Sequence, residues 1–375
     1  MATNNNNKAL NVPPLRFPEF NGEWEKCTIK DYGEVVTGNT PPTSNSEYYD
    51  NGSYLWASPA DLGISKNITE TKTKLSLSGF RKTRNIPKGS VLITCIGSTI
   101  GKMGMATETM SSNQQINSIV INDKSDSDFV YYAISRAFPR YLSEVGIQAV
   151  PILSKSNFEK LPNYTTCREE QDKIGYFLNL LDERIATQNK IIDKLQSLIK
   201  GIAQNVARNN KPYIRLSECL ECRSSTLQES DVCKNNTYPV YGANGIVGYL
   251  DNYNTEDEAV YIIKDGSGVG TVSYVTGKCS ATGTLNILQA KDGYSLRYLY
   301  YLLKVFNFEP YKTGMAIPHI YFKDYGRAKI FCPSYTEQLQ YARLLSAIDD
   351  KVSAEQNVLT SLSLQKQYLL RQIFI

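Results

Sequence analysis

Two segments of the chain share one spacing of apolar residues. Across residues 174–206, apolar side chains recur in alternating steps of four and three, interrupted by Gln188. The same spacing returns 167 positions later across residues 341–373, interrupted by Glu355 and Lys366. Such steps are the heptad spacing of a coiled coil. The pattern therefore predicts two long amphipathic helices, each about 60 Å long at a rise of about 1.5 Å per residue.

The repetition extends beyond the two helices. Pro151 and Pro318 are also 167 positions apart, and further upstream the offset becomes 169. A repeat of this length is too long for a solenoid, whose repeats have about 20–50 residues. We therefore predict a duplicated unit made of a module and a helix. The residues that match at an offset of 169 are Gly97 and Gly266, Gly101 and Gly270, and Asn117 and Asn286.

Neither apolar stripe can face water alone, so we expect the two helices to pair with each other in antiparallel directions. Aligning the centres of the stripes brings Gln188 beside Glu355, and such a polar pair can fix the register of a coiled coil. This arrangement would set the modules at opposite ends of one rod, related by an approximate two-fold axis.

The modules themselves have mixed patterns. Short apolar runs bounded by glycine predict buried strands, and longer amphipathic runs predict helices. Asp126 or Ser127 could cap the helix of the first module, and Ser334 or Thr336 the second long helix. The predicted strands are residues 91–96, 118–121, 259–263 and 270–275, and the predicted module helices are residues 128–142 and 296–305.

The predicted fold class is α+β, with two mixed α/β globular domains separated by two long helices that form an antiparallel coiled coil with a pseudo-two-fold internal repeat. We expect an N-terminal tail with the first domain over residues 1–167, a long helix over 168–210, a second domain over 211–334 and a second long helix over 335–375. The polar start, Met-Ala-Thr-Asn, is unlike a signal peptide, and a cytoplasmic protein is expected.

The residues offer little for catalysis. His319 is the only histidine, which removes most general-base and triad schemes, and we interpret it as a loop or packing residue. Four of the eight cysteines could imitate a zinc site, but the third and fourth of them lack the paired spacing of zinc ligands. The turn from Gly97 to Lys102 resembles a phosphate-binding loop, although its glycines are one residue too close and Met103 replaces the magnesium-binding hydroxyl. A tight turn that lets the backbone approach a phosphate, or simply a turn between strands, fits it better. The four cysteines are Cys219, Cys222, Cys233 and Cys279.

The net charge is only +4, yet a local basic run and 26 tyrosines are compatible with nucleic acid, because the distribution of charge matters more than its sum. Tyrosine combines an apolar ring with a hydroxyl for phosphates or base edges. Two tyrosine-rich cores would explain the same composition. The basic run consists of Lys72, Lys74, Arg81, Lys82, Arg84 and Lys88.

Several segments resemble the specificity subunits of type I restriction–modification systems. The opening residues 12–25, the segments 86–93 and 238–246, and the helix starts at 169–174 and 337–338 are similar to that family. The order of recognition domain, spacer helix, recognition domain and spacer helix also matches, so the resemblance covers nearly the whole chain.

The resemblance implies a noncatalytic DNA-binding subunit. Each domain would recognise one half of a bipartite target in double-stranded DNA, and the helices would set the gap and dock two methyltransferase subunits. A restriction motor-nuclease subunit would join for cleavage. S-adenosylmethionine, ATP and magnesium would belong to these partners, and no cofactor is expected in this chain.

Chemistry narrows the residues that could face DNA. Lysine, arginine and serine near the glycine turns suit phosphate, and asparagine and glutamine suit adenine edges. A solvated surface role is an alternative for each. The candidates in the first module are Arg81, Lys82, Arg84, Ser98, Lys102, Asn113 and Gln114, and those in the second are Lys264, Ser267, Lys278, Lys312 and Lys323.

Two other functions stay open at this point. The first is an enzyme that binds a nucleotide at the Gly97 turn. The second is a coiled-coil scaffold with two protein-binding heads.

Overall fold

The computed structural model describes residues 11–145, 152–314 and 316–375. The chain divides into two compact units, Met1–Thr187 with Thr360–Ile375 (unit 1) and Gln188–Leu359 (unit 2). The first ten residues of the predicted tail and Pro151 lie outside the described residues.

Unit 1 contains two larger sheets and a two-stranded ladder among its described residues. Their strand orders are β2-β10-β7-β8-β4, β5-β3-β9-β6 and β1-β11. The strands are β1 Glu25–Thr28, β2 Gly33–Thr37, β3 Tyr54–Ala57, β4 Asn67–Ile68, β5 Thr73–Leu75, β6 Asn85–Ile86, β7 Val91–Thr94, β8 Met103–Ala106, β9 Met110–Ser112, β10 Ile116–Ile121 and β11 Pro162–Thr165. The helices that begin in unit 1 are α1 Ile29–Tyr32, α2 Leu77–Phe80, α3 Ser127–Val145, α4 Lys155–Glu159 and α5 Arg168–Arg208.

Unit 2 contains sheets of order β13-β19-β16-β17, β15-β14-β18 and β12-β20 among its described residues. The strands are β12 Ile214–Arg215, β13 Leu220–Ser224, β14 Tyr238–Gly242, β15 Gly245–Leu250, β16 Glu258–Ile263, β17 Val272–Thr276, β18 Ser280–Ala281, β19 Leu285–Ala290 and β20 Lys329–Ile330. Its helices are α6 Leu216–Cys219, α7 Leu296–Val305, α8 Phe322–Tyr325 and α9 Tyr335–Ile373.

The two units repeat one sheet framework in register. In unit 1, β7 and β10 are antiparallel with Thr94 opposite Ile116. In unit 2, β16 and β19 are antiparallel with Ile263 opposite Leu285. Both members of the pair are shifted by 169 positions, which is the offset of the sequence repeat. The duplication therefore holds at the level of individual strand pairings.

A buried glutamine near the start of each long helix holds the start of the preceding module helix in the same way. Gln171 accepts a hydrogen bond from the backbone N–H of Asp126 at 3.0 Å. Its counterpart Gln338 accepts one from the N–H of Ser295 at 2.8 Å. Asp126 and Ser295 are themselves the N-terminal caps of α3 and α7. Each module is thus joined to its long helix by the same polar contact.

The long helices α5 and α9 pair in antiparallel directions inside each unit. In unit 2, the Gln188 amide donates to the carbonyl of Glu355 at 3.0 Å and also to its carboxylate. In unit 1, the Lys366 ammonium contacts the carboxylate of Asp182. The predicted pairing of Gln188 with Glu355 is confirmed, and the antiparallel coiled coil with it.

The stripe residues of both helices contribute to the cores. Leu178 and Leu369 lie in the main core of unit 1 with Phe129 of α3. Ile199 and Leu345 lie in the main core of unit 2 with Tyr301 of α7. Burial of these apolar side chains stabilises the pairing by roughly 1.5–3 kcal/mol per residue.

The predicted elements of the modules are largely confirmed. The strands at 91–96, 118–121 and 259–263 are β7, β10 and β16, and the helix at 296–305 is α7. The strand predicted at 270–275 begins two residues later, because Gly270 still belongs to a turn. Helix α3 spans more than the predicted 128–142 and includes Pro139. Ser334, rather than Thr336, caps the last helix.

Candidate functional site

The candidate site of each unit lies at one edge of its larger sheet. In unit 1, β2 ends at Thr37, β7 ends at Thr94 and β10 begins at Ile116. These ends are adjacent because the three strands are neighbours in antiparallel register. We call this edge, with the loops that leave it, the loop edge. The corresponding strand ends in unit 2 are Ser224, Ile263 and Leu285.

Both loop edges carry a glycine turn with the same backbone. The first glycine of each turn has a φ of 94°, which L side chains rarely adopt and glycine adopts freely. In unit 1, the N–H of Gly101 donates to the carbonyl of Thr94 at 2.9 Å. In unit 2, the N–H of Gly270 donates to the carbonyl of Ile263, also at 2.9 Å. The two turns are therefore one structure built twice.

The second glycine of each turn is also required by packing. A Cβ atom on Gly101 would lie 2.7 Å from the ring of Phe138, and one on Gly270 would lie 3.1 Å from the ring of Phe308. Each phenylalanine ring thus packs directly against its turn, and a larger residue in place of the glycine would displace the ring.

These turns differ from a phosphate-binding loop in their position in the fold. The turn from Gly97 to Gly101 joins the antiparallel strands β7 and β8. A phosphate-binding loop instead leads into the N-terminus of a helix, whose N–H groups hold the phosphates. The geometry favours the interpretation of a turn between strands over a nucleotide site.

Hydrogen bonds around Asn39 hold Lys82 and Arg84 of the predicted basic run at the loop edge of unit 1. The Asn39 amide donates to the carbonyl of Lys82 at 2.9 Å and accepts from the N–H of Arg84 at 2.8 Å. The Arg84 guanidinium donates to the carbonyl of Thr37 at 2.9 Å. Arg81, Lys82 and Arg84 are exposed. The structure therefore brings these three cations beside the end of β2.

The neighbouring loop holds Asn113 and Gln114 at the same edge. Gln114 is exposed and its amide oxygen accepts from the hydroxyl of Thr40 at 2.5 Å. Asn113 is buried, and its side chain exchanges hydrogen bonds with Gln115 at 3.0 and 3.2 Å. Gln114 is thus presented to solvent, whereas Asn113 shapes the loop.

Ser98 and Lys102 lie in the glycine turn of unit 1, and both are exposed. The stem of Lys102 passes over Gly63, whose Cβ position lies 3.2 Å from Lys102 Cγ. Ser267 is exposed in the equivalent turn of unit 2. These side chains extend the polar surface of the loop edges.

The loop edge of unit 2 surrounds a solvent-open cavity of 630 Å³. The predicted residues Lys264 and Lys323 both line it. Lys323 also lies over the ring of Tyr321, 5.3 Å from its centroid. A cationic and aromatic wall of this kind suits phosphates and bases. Other side chains on the wall are Asp265, Asn286 and His319.

Two predicted residues of unit 2 have their own partners outside this cavity. Lys312 forms an ion pair with Glu309 at 2.6 Å. Lys278 follows β17, at the end of the β16–β17 hairpin opposite Lys264. It lies 4.8 Å from the ring centroid of Tyr253, and its hydrogen bond to Tyr253 raises its pKa. The structure does not bring Lys278 together with the other candidates.

One backbone bridge at the loop edge carries different side chains in the two units. In unit 1 it pairs Ile96 with Ile152, and in unit 2 it pairs Asp265 with His319. The His319 Nδ1 atom lies 2.6 Å from the Asp265 carboxylate. The interpretation of His319 as a mere loop or packing residue is therefore incomplete. The repeat offsets contained the signal, since they align Ile96 with Asp265 and Ile152 with His319.

The thiols at the loop edges are neutral at ordinary pH. Burial raises the pKa of Cys95 to about 12. Burial also raises the pKa of Cys222 to about 11, although the nearby Lys264 ammonium acts in the opposite direction. Cys95 occupies the position in unit 1 that Lys264 occupies in unit 2. At this one position, unit 1 therefore carries a buried neutral thiol and unit 2 carries a lysine.

The described part of the chain has neither a cluster of metal-binding side chains nor a membrane-spanning helix. Its histidine, cysteine, aspartate and glutamate side chains include no group of three or more that could hold a metal ion. Across the same residues, no helix is both long and apolar enough to span a bilayer. All eight cysteines are free.

Comparison with known proteins returned one family. The family model for the type I restriction modification DNA specificity domain matches twice, over residues 21–197 and 212–364. These two matches cover most of the chain and correspond to its two repeats.

The curated relatives that the chain resembles are named as specificity subunits of type I restriction enzymes. The chain is 32% identical over 188 residues to the type I restriction enzyme MjaIX specificity subunit of Methanocaldococcus jannaschii, covering 46% of this chain and 42% of the relative. It is 28% identical over 186 residues to the HindI specificity subunit of Haemophilus influenzae, covering 47% and 40%. It is 21% identical over 360 residues to the EcoprrI specificity subunit of Escherichia coli, covering 87% and 88%. The first two matches thus span about two fifths of the relatives' length.

Solved structures share the fold. The S subunit of a type I restriction–modification system from M. genitalium superposes with a TM-score of 0.67 at 19% identity, covering 97% of this chain and 99% of that one. A chain from a study of the assembly and conformational transition of a type I system superposes with a TM-score of 0.55 at 16% identity, covering 93% and 97%.

Proposed function

The chain belongs to the type I restriction–modification DNA specificity family, and from this premise we propose that it is the sequence-specific DNA-binding subunit of such a complex. Each module would recognise one half of a bipartite target in double-stranded DNA. The chain itself would be noncatalytic.

One observation carries this proposal. The two units repeat the same strand register, glycine turn and buried glutamine, yet their loop edges present different side chains. A reader of DNA needs a fixed backbone to position contacts and variable side chains to choose bases. Two copies of one framework with different edges suit two different half-sites.

The DNA-facing residues remain proposals. We propose that the exposed cations of the loop edges contact phosphates and that Gln114 contacts a base edge, because paired amide groups match adenine. Asn113, the one buried candidate, would hold its loop in place. Lys278 would contact DNA only beyond the loop edge. The full set is Arg81, Lys82, Arg84, Ser98, Lys102, Asn113, Gln114, Lys264, Ser267, Lys278, Lys312 and Lys323.

We propose the functional division 1–167, 168–210, 211–334 and 335–375, with the two long helices as spacers that dock two methyltransferase subunits. Exposed apolar side chains on the helices support docking, because such groups mark protein-binding surfaces. Ile191 is 38% exposed, and Val358, its counterpart 167 positions later, is 40% exposed. A repeated surface suits one partner per copy.

The chemistry of the complex would then reside in partner subunits. The methyltransferase subunits would bind S-adenosylmethionine, and a restriction motor-nuclease subunit would use ATP and magnesium. A site of action in the cytoplasm, where the DNA lies, follows from this proposal.

Methylation sequencing tests the proposed function. The chain and the methyltransferase subunit of its own system would be expressed in cells without a type I system, and methylated adenines would be mapped. We expect two short specified groups of bases separated by a fixed gap. Absence of DNA binding by the assembled complex would favour the scaffold alternative, and nucleotide binding by the isolated chain in calorimetry would favour the enzyme alternative.

Variants confined to one module sharpen this test. Gln114→Ala in the first module should lower the discrimination between the correct and the wrong base pair at one position of one half-site by about 1–3 kcal/mol. The other half-site should stay unchanged. If changes in the first module rewrote both half-sites, separate reading by two modules would be wrong.

A further inference from the structure

In each unit, a backbone bridge joins the residue before the glycine turn to the segment before a short helix, which is α4 in unit 1 and α8 in unit 2. The backbone hydrogen bonds of this bridge are alike in the two units, but its side chains differ. The N–H of Leu153 donates to the carbonyl of Cys95 at 2.8 Å in unit 1. The N–H of Ile320 donates to the carbonyl of Lys264 at 2.9 Å in unit 2. The backbone link is thus the same in both units, whatever side chains flank it.

The Asp265–His319 pair is therefore not required to close the bridge. Unit 1 closes it with two isoleucines, and one of them, Ile152, is 52% exposed. In unit 2, the side chains of His319 and Asp265 are 35% and 33% exposed and line the 630 Å³ cavity. A polar pair that the framework does not need, placed on an open wall, is available to a ligand.

The atoms of this pair define what it can bind. A carboxylate only accepts hydrogen bonds, so the ring nitrogen beside it, Nδ1 of His319, donates. This bond fixes the orientation of the Asp265 carboxylate and leaves its second oxygen for another donor. The adjacent Lys264 ammonium can only donate. An acceptor beside a donor thus faces the cavity.

We propose that Asp265 reads a G·C base pair in the half-site of the second module, with Lys264 as its neighbouring donor and His319 as its positioning residue. In the major groove, cytosine offers the N4 amino group as a donor, and guanine offers N7 and O6 as acceptors. Asp265 would accept from cytosine N4, and Lys264 would donate to guanine. This inference rests on the proposed function and names a contact within it.

The surroundings make a carboxylate tolerable at a DNA surface. Lys264 and Lys323 line the same cavity and offset the negative charge of Asp265 against the phosphates. At the equivalent bridge of unit 1, Ile96 and Ile152 can make only apolar contacts, such as one with a thymine methyl group. The two modules would therefore differ in base choice at equivalent points.

Methylation sequencing of the assembled complex with variants of the second module tests the inference. Asp265→Ala should lower the preference for one G·C pair by roughly 5- to 150-fold, the range that corresponds to about 1–3 kcal/mol per base contact. The Asp265→Ile/His319→Ile double variant, which copies the unit 1 bridge, should do the same. The first half-site and the gap should stay unchanged.

Histidine variants separate positioning from simple packing. Asn places an amide N–H near the position of Nδ1, so His319→Asn should retain most of the preference, whereas His319→Ala should lose it. Asp257→Ala is the matched control, because Asp257 is exposed and precedes β16 at the end opposite Asp265. Thermal melts would show which variants fold. If the double variant does not fold, Asp265→Ala and His319→Ala decide the test.

The outcomes distinguish this inference from the proposed function. If the native chain directs methylation to a bipartite target and Asp265→Ala leaves that target unchanged, the inference is wrong and the proposed function stands. Relaxation at an A·T pair would also overturn it. If the native complex shows no bipartite target, the proposed function itself fails.

Discussion

Unit 1 and unit 2 share one sheet framework but present different side chains at their loop edges. The turns, strand registers and buried glutamines coincide at fixed offsets, whereas Cys95 and Ile96 of one edge correspond to Lys264 and Asp265 of the other. Internal contacts are constrained by packing and by the cost of unpaired buried polar groups. The exposed side chains of the loop edges lack those constraints, so they can differ between the units according to the ligand that each unit binds.

The helix starts give a second contrast. Glu170 is fully buried and receives two hydrogen bonds at 2.7 Å from the guanidinium of Arg16. Its counterpart Glu337 is exposed and only caps the helix by accepting from Ser334. Equivalent positions thus carry an internal ion pair in unit 1 and a surface cap in unit 2.

The largest effect is expected from charges placed in the equivalent cores. Leu178 and Leu345 are 167 positions apart and 0% and 2% exposed. Leu178→Asp and Leu345→Asp should each cost more than about 4 kcal/mol, because a buried carboxylate has no partner there. Chemical denaturation measures the loss. Phe177→Asp and Leu344→Asp, at more exposed neighbouring positions, are the controls, and equal losses at all four would contradict a shared buried stripe.

A smaller and unequal effect is expected at the helix starts. Arg16→Ala should cost about 3 kcal/mol, because it leaves the buried Glu170 carboxylate without its cation. Glu337→Ala should cost only about 1 kcal/mol, the usual value of a cap. Denaturant midpoints of the two variants test the contrast. Equal costs would show that the two helix starts are energetically alike.

The framework can be predicted well from the sequence, because the same sequence pattern occurs twice in the chain. Heptad spacing indicates both long helices and their pairing at Gln188 and Glu355, since apolar stripes must be buried. Matching glycines indicate both turns, because a positive φ and the contact with a phenylalanine ring leave few alternatives to glycine.

The sequence predicts the loop edges poorly for the opposite reason. His319 lies 54 positions from Asp265 and becomes its partner only when the bridge closes. Lys278 and Lys264 each lie within two residues of a glycine, yet they lie at opposite ends of one hairpin. The surface chemistry depends on which loops meet, and no local pattern specifies that.

Phosphate contacts should produce a modest, sequence-independent effect at the loop edge of unit 2. Lys323→Ala should weaken binding to all DNA sequences and flatten the plot of log K against log salt by about 0.9. Lys329→Ala, in the exposed part of β20, is the control. Fluorescence anisotropy of the assembled complex at several salt concentrations measures the slopes. An unchanged slope for Lys323→Ala would place the phosphates elsewhere.

The smallest effect concerns pH. The pKa of Cys222 is raised to about 11 in the folded chain, so the folded state holds this proton more tightly than the unfolded state, whose thiol has a pKa of about 8.5. Its stabilising contribution is therefore complete below about pH 8.5 and is lost as the pH rises towards 11. Cys222→Val, which copies Val35 of unit 1, should therefore lose less stability than the native chain when the pH is raised from 7 to 10. Denaturation at both pH values tests this, and parallel losses would contradict it.

The central claim is that each module reads its own half of the target on a common framework. It is tested most directly by a chain in which residues 213–333 are replaced by a second copy of residues 24–164, with both helices kept. Assembled with its methyltransferase partner, this chain should methylate a target whose two halves both contain the bases of the first half-site, with a gap close to the native one. Methylation that still requires the native second half-site would contradict the claim.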